Sequence, residues 1–220
     1  MKVSVVVVTY RRTKSLESIL AAWLAQTPDV WLADCTPGGF VTMLPIHRIH
    51  ATPDPGNRLR HAVALLTSGD LVIKADDDFM PLPGLIDDYV RAYRKNGDGI
   101  YSIHGRTFHG RDYYRKTKLY GGKQLDRVLP VNFVGVCTCA PRSLLAMDLL
   151  GCNSDIEDLF WQMEKYPKAK KFVIATQRFR HLPESKDKGR LCGTKDSRVS
   201  RNKYYERWYV KNYRPPDRMS

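Results

Sequence analysis

Three adjacent carboxylates, Asp76, Asp77 and Asp78, close the predicted buried strand 71–75. Like charges so placed repel one another, and a divalent cation offsets the repulsion. Mg2+ and Mn2+ take oxygen ligands, substrate phosphates among them. Side chains alternate along an extended segment, so Asp76 and Asp78 share a side and can share one ion, while Asp77 points elsewhere. The competing reading is a solvated acidic turn in which an aspartate caps a helix. The strand character of Leu71-Val72-Ile73 favours the metal site, because solvated acidic runs are seldom anchored by a buried strand.

Other polar groups gather at the ends of predicted strands. Thr9-Tyr10-Arg11 follows the run 3–8, Asp34 follows 30–33, and His104-Gly105-Arg106 follows 100–103. Arg11, Arg12 and Arg106 suit phosphate contacts or plain solvated turns. His181 is either a surface histidine or a metal ligand. A ligand must be neutral, and the neighbouring Arg178 and Arg180 disfavour the charged ring. Asp155, Glu157 and Asp158 open a predicted helix over 154–165. Ser154 and Glu157 there have capping-box spacing, and Asp155 complements the helix N-terminus. Asp158 points with Asp155 off the inner face made by Ile156, Phe160 and Met163.

The elements that must hold these groups alternate between strand and helix. The β-branched run 3–8 reads as a buried parallel strand. Thr13 caps a helix whose inner face is Leu16, Ile19, Leu20, Trp23 and Leu24. Residues 57–67 read as a helix with Leu59, Ala62, Val63 and Leu66 inward. Pro83 opens a further helix that Gly97 ends. Residues 131–139 and 172–176 read as strands and 143–150 as a short helix; after Pro183 the chain reads as a loop. Such alternation means a parallel, doubly wound sheet, whose ligands bind beyond the carboxyl ends of its strands. Thr9, Asp34 and the three aspartates all fall there.

Composition excludes a disordered chain: 43% of the 220 residues are hydrophobic. The apolar start is too short for a signal peptide and no run approaches a membrane span. The five scattered cysteines lack zinc spacing, so the sequence predicts a cytoplasmic protein with reduced thiols. The net charge of +13 sits mostly in two segments, 106–127 and 185–220. Both interleave Lys and Arg with aromatic rings, which suits a nucleic-acid strand. The candidates are Arg106, Arg111, Tyr113, Tyr114, Lys203, Tyr204, Tyr205 and Trp208. The competing readings are a solubilising surface with a lid over 186–201, and attraction to an anionic membrane leaflet.

Order and spacing together resemble the GT-A glycosyltransferases, close to the family-2 group and more distantly the exostosin-like transferases. The resemblance covers residues 3–181. Val5 to Arg12 resembles the opening strand and nucleotide-contacting turn, and Asp34 the acidic residue near the base. Gly56-Asn57-Arg58 with Ser68-Gly69-Asp70 resembles the segment before the metal strand, and Asp76-Asp77-Asp78 the D-x-D. Glu157-Asp158 resembles the pair that supplies the catalytic base, and His181 a histidine that completes the metal site. The acceptor half matches weakly.

The resemblance implies an α/β GT-A fold, a Rossmann-like, mostly parallel sheet flanked by helices, with a basic C-terminal lid and tail. Residues 1–104 would bind the nucleotide-sugar, 105–183 would serve acceptor and catalysis, and 184–220 would form the lid and tail. It implies Asp158 as base and Asp76, Asp78 and His181 around Mn2+ or Mg2+. It assigns Thr9, Tyr10, Arg11, Asp34, Asn57, Arg58, Asp76 and Asp77 to the donor, a UDP-sugar, with inversion. The basic segments make a hydroxymethylated pyrimidine in DNA the expected acceptor, reached by base flipping. The alternatives are a cell-surface glycan or lipid-linked-sugar transferase and a non-enzymatic nucleic-acid-binding protein.

Overall fold

The computed structural model describes residues 1–10, 12–52, 55, 58–146, 156–182 and 195–212. In chain order it contains β1 (Val3–Thr9), α1 (Leu16–Leu24), β2 (Val30–Asp34), β3 (His47–His50), α2 (Arg58–Leu66), β4 (Leu71–Asp76) and β5 (Phe79–Pro81). Then follow α3 (Leu85–Asn96), β6 (Ile100–Ser102), β7 (His104–Phe108), β8 (Thr117–Gly121), β9 (Leu129–Pro130), β10 (Phe133–Gly135) and β11 (Thr138–Pro141). The last elements are α4 (Glu157–Phe160), which widens into a π-turn over Trp161–Lys165, β12 (Lys171–Val173), β13 (Phe179–His181) and α5 (Lys195–Asn212).

Eight strands form the central sheet in the order β3-β2-β1-β4-β11-β6-β12-β9. β1 lies parallel between β2 and β4, and all seven of its residues are buried, as helices on both faces require. Leu16, Ile19, Leu20 and Trp23 of α1 are buried against the sheet, each contributing about 1.5–3 kcal/mol relative to exposure. A three-stranded sheet β10-β7-β8 and the antiparallel pair β13-β5 complete the strands.

The sheet is mostly parallel, as expected, with two exceptions: β11 runs antiparallel between β4 and β6, and β9 runs antiparallel to β12. The continuous strand predicted over 131–139 is two strands in two sheets. The break falls at Val136 and Cys137, with φ of 47° and 53°. That left-handed region is costly for a β-branched residue. Three neighbouring carbonyls are held by side-chain hydroxyls there: Ser102 donates to Gly135 and Val136, and Tyr89 to Cys137.

Four further expectations change. Thr13 does not cap α1 with its side chain; its backbone oxygen accepts from Leu16. On α2 the buried positions are Leu59, His61, Val63 and Ala64, while Leu66 is exposed, because this face meets Lys74 and Trp161. The inner face of the 156–163 segment is Glu157, Leu159, Trp161, Gln162 and Met163, with Ile156 and Phe160 only half-buried. The tail carries an 18-residue helix, α5, where a loop was expected. Residues 147–150, the second half of the helix predicted over 143–150, and the capping residue Ser154 lie outside the described residues.

Candidate active site

Strand register sets the site. Thr9 pairs with Asp34 across β1 and β2, and Val8 pairs with Asp76 across β1 and β4. The carboxyl ends of these strands therefore form one edge. β13 lies against β5 so that His181 faces Phe79, and Leu182 N donates to Asp78 O at 2.9 Å. This brings His181 to the end of the aspartate run.

The three aspartates meet different partners. Asp77 is 4% exposed; its Oδ2 accepts from Thr9 Oγ1 at 3.0 Å and Tyr10 N at 3.3 Å. Arg12 Nε lies 3.2 Å from Asp77 Oδ1, and Arg12 Nη1 lies 2.7 Å from Asp78 Oδ2. Burial pushes the Asp77 carboxyl up to about 7 in spite of Arg12. Burial lowers the Arg12 value, but Asp77 and Asp78 outweigh it and keep the guanidinium charged. Asp76 turns away from both, toward Arg60 Nη1 at 2.8 Å, and burial raises its value against that cation.

Arg60 does a second thing. Its Nη2 lies 2.5 Å from Glu157 Oε1, so one buried guanidinium on α2 joins the end of β4 to the start of α4. Glu157 is 1% exposed; among the described residues its Oε2 and Arg60 Nε find no hydrogen-bond partner. Burial, with the Asp158 charge beside it, raises the Glu157 value. The next carboxylate, Asp158, reaches Arg201 Nη2 of α5 at 2.8 Å and accepts from Leu159 N. Burial works against its charge, but Arg201 and then Arg60 outweigh it and hold Asp158 below the ordinary carboxylate range. Beneath these groups Lys74 Nζ is buried 3.0 Å from the centre of the Trp161 ring and 3.2 Å from His61 Nδ1. Burial holds Lys74 far below the usual amine range.

The remaining predicted residues fall as follows. Asp34 is fully buried, and its oxygens accept from Thr36 N and Phe40 N, shaping the loop after β2. Arg58 Nε donates to Pro55 O at 3.1 Å. Arg11 and Asn57 lie outside the described residues. His181 is exposed and stacks on His104, with ring centroids 5.3 Å apart. Burial and His181 together push His104 down to about 4. Asp76 and Asp78 are hard oxygen donors of the kind Mg2+ or Mn2+ takes. Among the described residues no three His, Cys, Asp or Glu side chains converge as a complete set of ligands.

The aromatic residues of the two basic segments pack chiefly on one another. Tyr113, Phe133, Leu159, Met163, Tyr205 and Tyr209 form a third core. Tyr113 is 3% exposed and Tyr205 fully buried, which corrects the expectation that these two rings stand free to stack on bases. Tyr205 OH donates to Gly110 O, Tyr204 OH to Glu164, and Trp208 Nε1 to Met163 O. Arg106 lies over the Tyr113 and Tyr114 rings at 4.9 and 5.7 Å. Arg111 and Lys203 are exposed. Arg60, Lys74 and Arg201 escaped the sequence reading. Arg201 sits four residues before Tyr205 and seven before Trp208, the spacing of one helical face.

No protein-family model and no curated protein sequence matches the chain. Solved structures match its fold. S. aureus TarS 1-349 superposes over 84% of this chain with a TM-score of 0.56 at 16% identity. TarS without the 1-349 limit gives 0.60 at 15%, also over 84%, and TarS 1-349 in complex with UDP-GlcNAc gives 0.54 at 16% over 81%. The chain spans 61%, 37% and 57% of the length of these three TarS chains. The likeness establishes a GT-A-like α/β fold, a large mostly parallel sheet flanked by helices. No helix among the described residues is long and apolar enough to cross a membrane.

Proposed function

We propose that this chain is a glycosyltransferase that moves a sugar from a nucleotide-sugar, a UDP-sugar by preference, to an acceptor hydroxyl with inversion. The observation that carries the reading is the Arg60 bridge. It joins Asp76, on the donor side, to Glu157, the neighbour of Asp158, at the edge where such sheets bind ligands. The fold likeness to a protein crystallised with UDP-GlcNAc supports the donor class.

In this reading Thr9, Tyr10, Arg11, Asp34, Asn57 and Arg58 border the donor, and Asp76 and Asp78, with His181, hold Mn2+ or Mg2+. A bound ion supplies positive charge where the diphosphate leaves. Asp158 Oδ2 takes the proton from the acceptor hydroxyl as that oxygen attacks. Because Arg201 holds Asp158 ionised, the carboxylate gains basicity when that contact loosens.

The proposed acceptor is a hydroxymethylated pyrimidine in DNA, supported by the net charge of +13 and its concentration in two segments. A glycan or lipid-linked acceptor is the second reading, favoured by the burial of Tyr113 and Tyr205. The test incubates the protein with a panel of nucleotide-sugars and hydroxymethylated DNA and weighs the released nucleosides. A hexose-sized gain is expected, with Asp78→Ala and Asp158→Asn each losing about 10²-fold or more. Undiminished transfer by either variant removes the role given to that residue.

A further inference from the structure

Two cavities meet along the far end of α5. One, of about 310 Å3, lies between β9, β12 and the helix, with Phe108, Met163, Phe172 and Trp208 in its wall and Lys170 on its border. The other, of about 390 Å3, lies between the π-turn and α5, with Met163, Tyr204, Arg207, Trp208 and Lys211 around it. They share Met163, Pro167 and Trp208 and so form one groove. Each is large enough for a small ligand, sites for which begin near ~300 Å3.

The groove is basic and aromatic together. Lys165, Lys168, Lys170, Lys203, Arg207 and Lys211 stand exposed on the elements that form it, against exposed Glu164 and Glu206. Glu164 is bound by Tyr204 OH at 2.7 Å, which ties up part of the opposing charge. Trp208 is fixed from behind: its Nε1 donates to Met163 O, and its ring stacks on Tyr205. A fixed indole beside a row of cations suits a chain with alternating planar rings and phosphates. The groove shares a helix with the partner of the candidate base. Arg201, which binds Asp158, and Trp208 are seven residues apart on one helix, roughly 10 Å along its axis.

We infer that this groove binds a single-stranded nucleic-acid segment, stacking a base on Trp208 and setting Lys170, Arg207 and Lys211 against its phosphates. This places a proposed nucleic-acid acceptor in the groove between α5, the π-turn and β12, with Trp208 as the stacking ring in place of the buried Tyr113 and Tyr205. It rests on the acceptor half of the functional reading and not on the donor half.

The test is fluorescence anisotropy of the whole chain with an end-labelled single-stranded oligonucleotide across a salt series. The double variant Arg207→Gln/Lys211→Gln changes two exposed side chains outside the candidate active site. Its affinity should fall about tenfold, and the slope of log affinity against log salt should shrink by about 1.4, two phosphate contacts on a single strand. An inorganic polyphosphate chain of equal charge should compete at least fivefold more weakly than the oligonucleotide, the low end of stacking on one ring. Unchanged affinity and slope in the variant, or equal competition by polyphosphate, overturns the assignment. Binding of UDP-GlcNAc, followed by thermal shift in the same variant, should not change. Its loss from both proteins would count against the donor reading and leave the groove standing.

Discussion

The contact between Arg201 and Asp158 fastens α5 to the start of α4, beside the aromatic packing of Tyr205 and Tyr209. Both groups are largely buried, with side chains 6% and 15% exposed, and they meet at 2.8 Å. Charge centres about 4 Å apart attract by about 4 kcal/mol at an effective dielectric of 20. Desolvation of both partners offsets part of that, so the net coupling should be about 2 kcal/mol. Arg201→Met keeps the bulk over the Tyr113 ring and leaves Asp158 charged without its partner. It should cost about 3 kcal/mol in urea unfolding at pH 7.5. Asp158→Asn in the Arg201→Met background should cost much less than in the parent. The sign of the pH effect follows from the lowered value of Asp158. Its stabilisation is complete above the unfolded value, about 3.9, and fades as pH falls through the folded one. In Arg201→Met the uncompensated burial pushes Asp158 up, so the penalty should be largest at pH 7.5 and shrink as pH falls through the variant's raised value. A coupling below about 0.5 kcal/mol in this double-mutant cycle would refute the claim that the pair fastens the tail.

Two further outcomes concern the sheet. Lys74 is buried and its amine depressed, so the folded chain releases a proton that the unfolded chain keeps. Stability should rise with pH between the depressed value and about 10.4, and Lys74→Met should flatten that rise and raise the melting temperature at neutral pH. Thermal melts from pH 6 to 9 measure both, and an undiminished slope in the variant would assign the pH dependence elsewhere. Gly69→Ala should destabilise by about 1–3 kcal/mol, because its Cβ would stand 2.6 Å from Ser4 N and 2.7 Å from Leu71 O, backbone atoms inside the sheet. Chemical denaturation reads that loss, and a change within 0.5 kcal/mol would show that the turn before β4 can give way.

The donor half of the fold was legible because its signals are local. A β-branched run, a helical stripe and an acidic strand end each announce themselves within ten residues, and β1, α1 and β4 fell where those patterns put them. Strand alternation put Asp76 and Asp78 on one side and Asp77 apart, but the strand ends at Asp76, so Asp77 and Asp78 share Arg12 and Asp76 turns alone to Arg60. What escaped depends on pairing across the chain. Arg60 meets a carboxylate 97 positions away, and nothing in its own helix distinguishes it from a solvated arginine. The stretch from Val131 to Cys139 reads as one strand because apolar content does not record a backbone turned to positive φ. The tail was read as loop because its Lys and Arg mask a spaced aromatic stripe, Tyr205, Trp208 and Tyr209, that finds its partners on β7, β10 and α4.

The turn at Val136 and Cys137 bears on how two parts of the molecule are joined. Tyr205 of α5 packs in one cluster with Phe133 of β10, and β10 runs through those two residues directly into β11, the neighbour of β4. The carbonyls of these two left-handed residues are held by Ser102 and Tyr89, which fixes the turn between the two sheets. The packing under α5 and the strand carrying Asp76 are thus joined through a single turn of the chain.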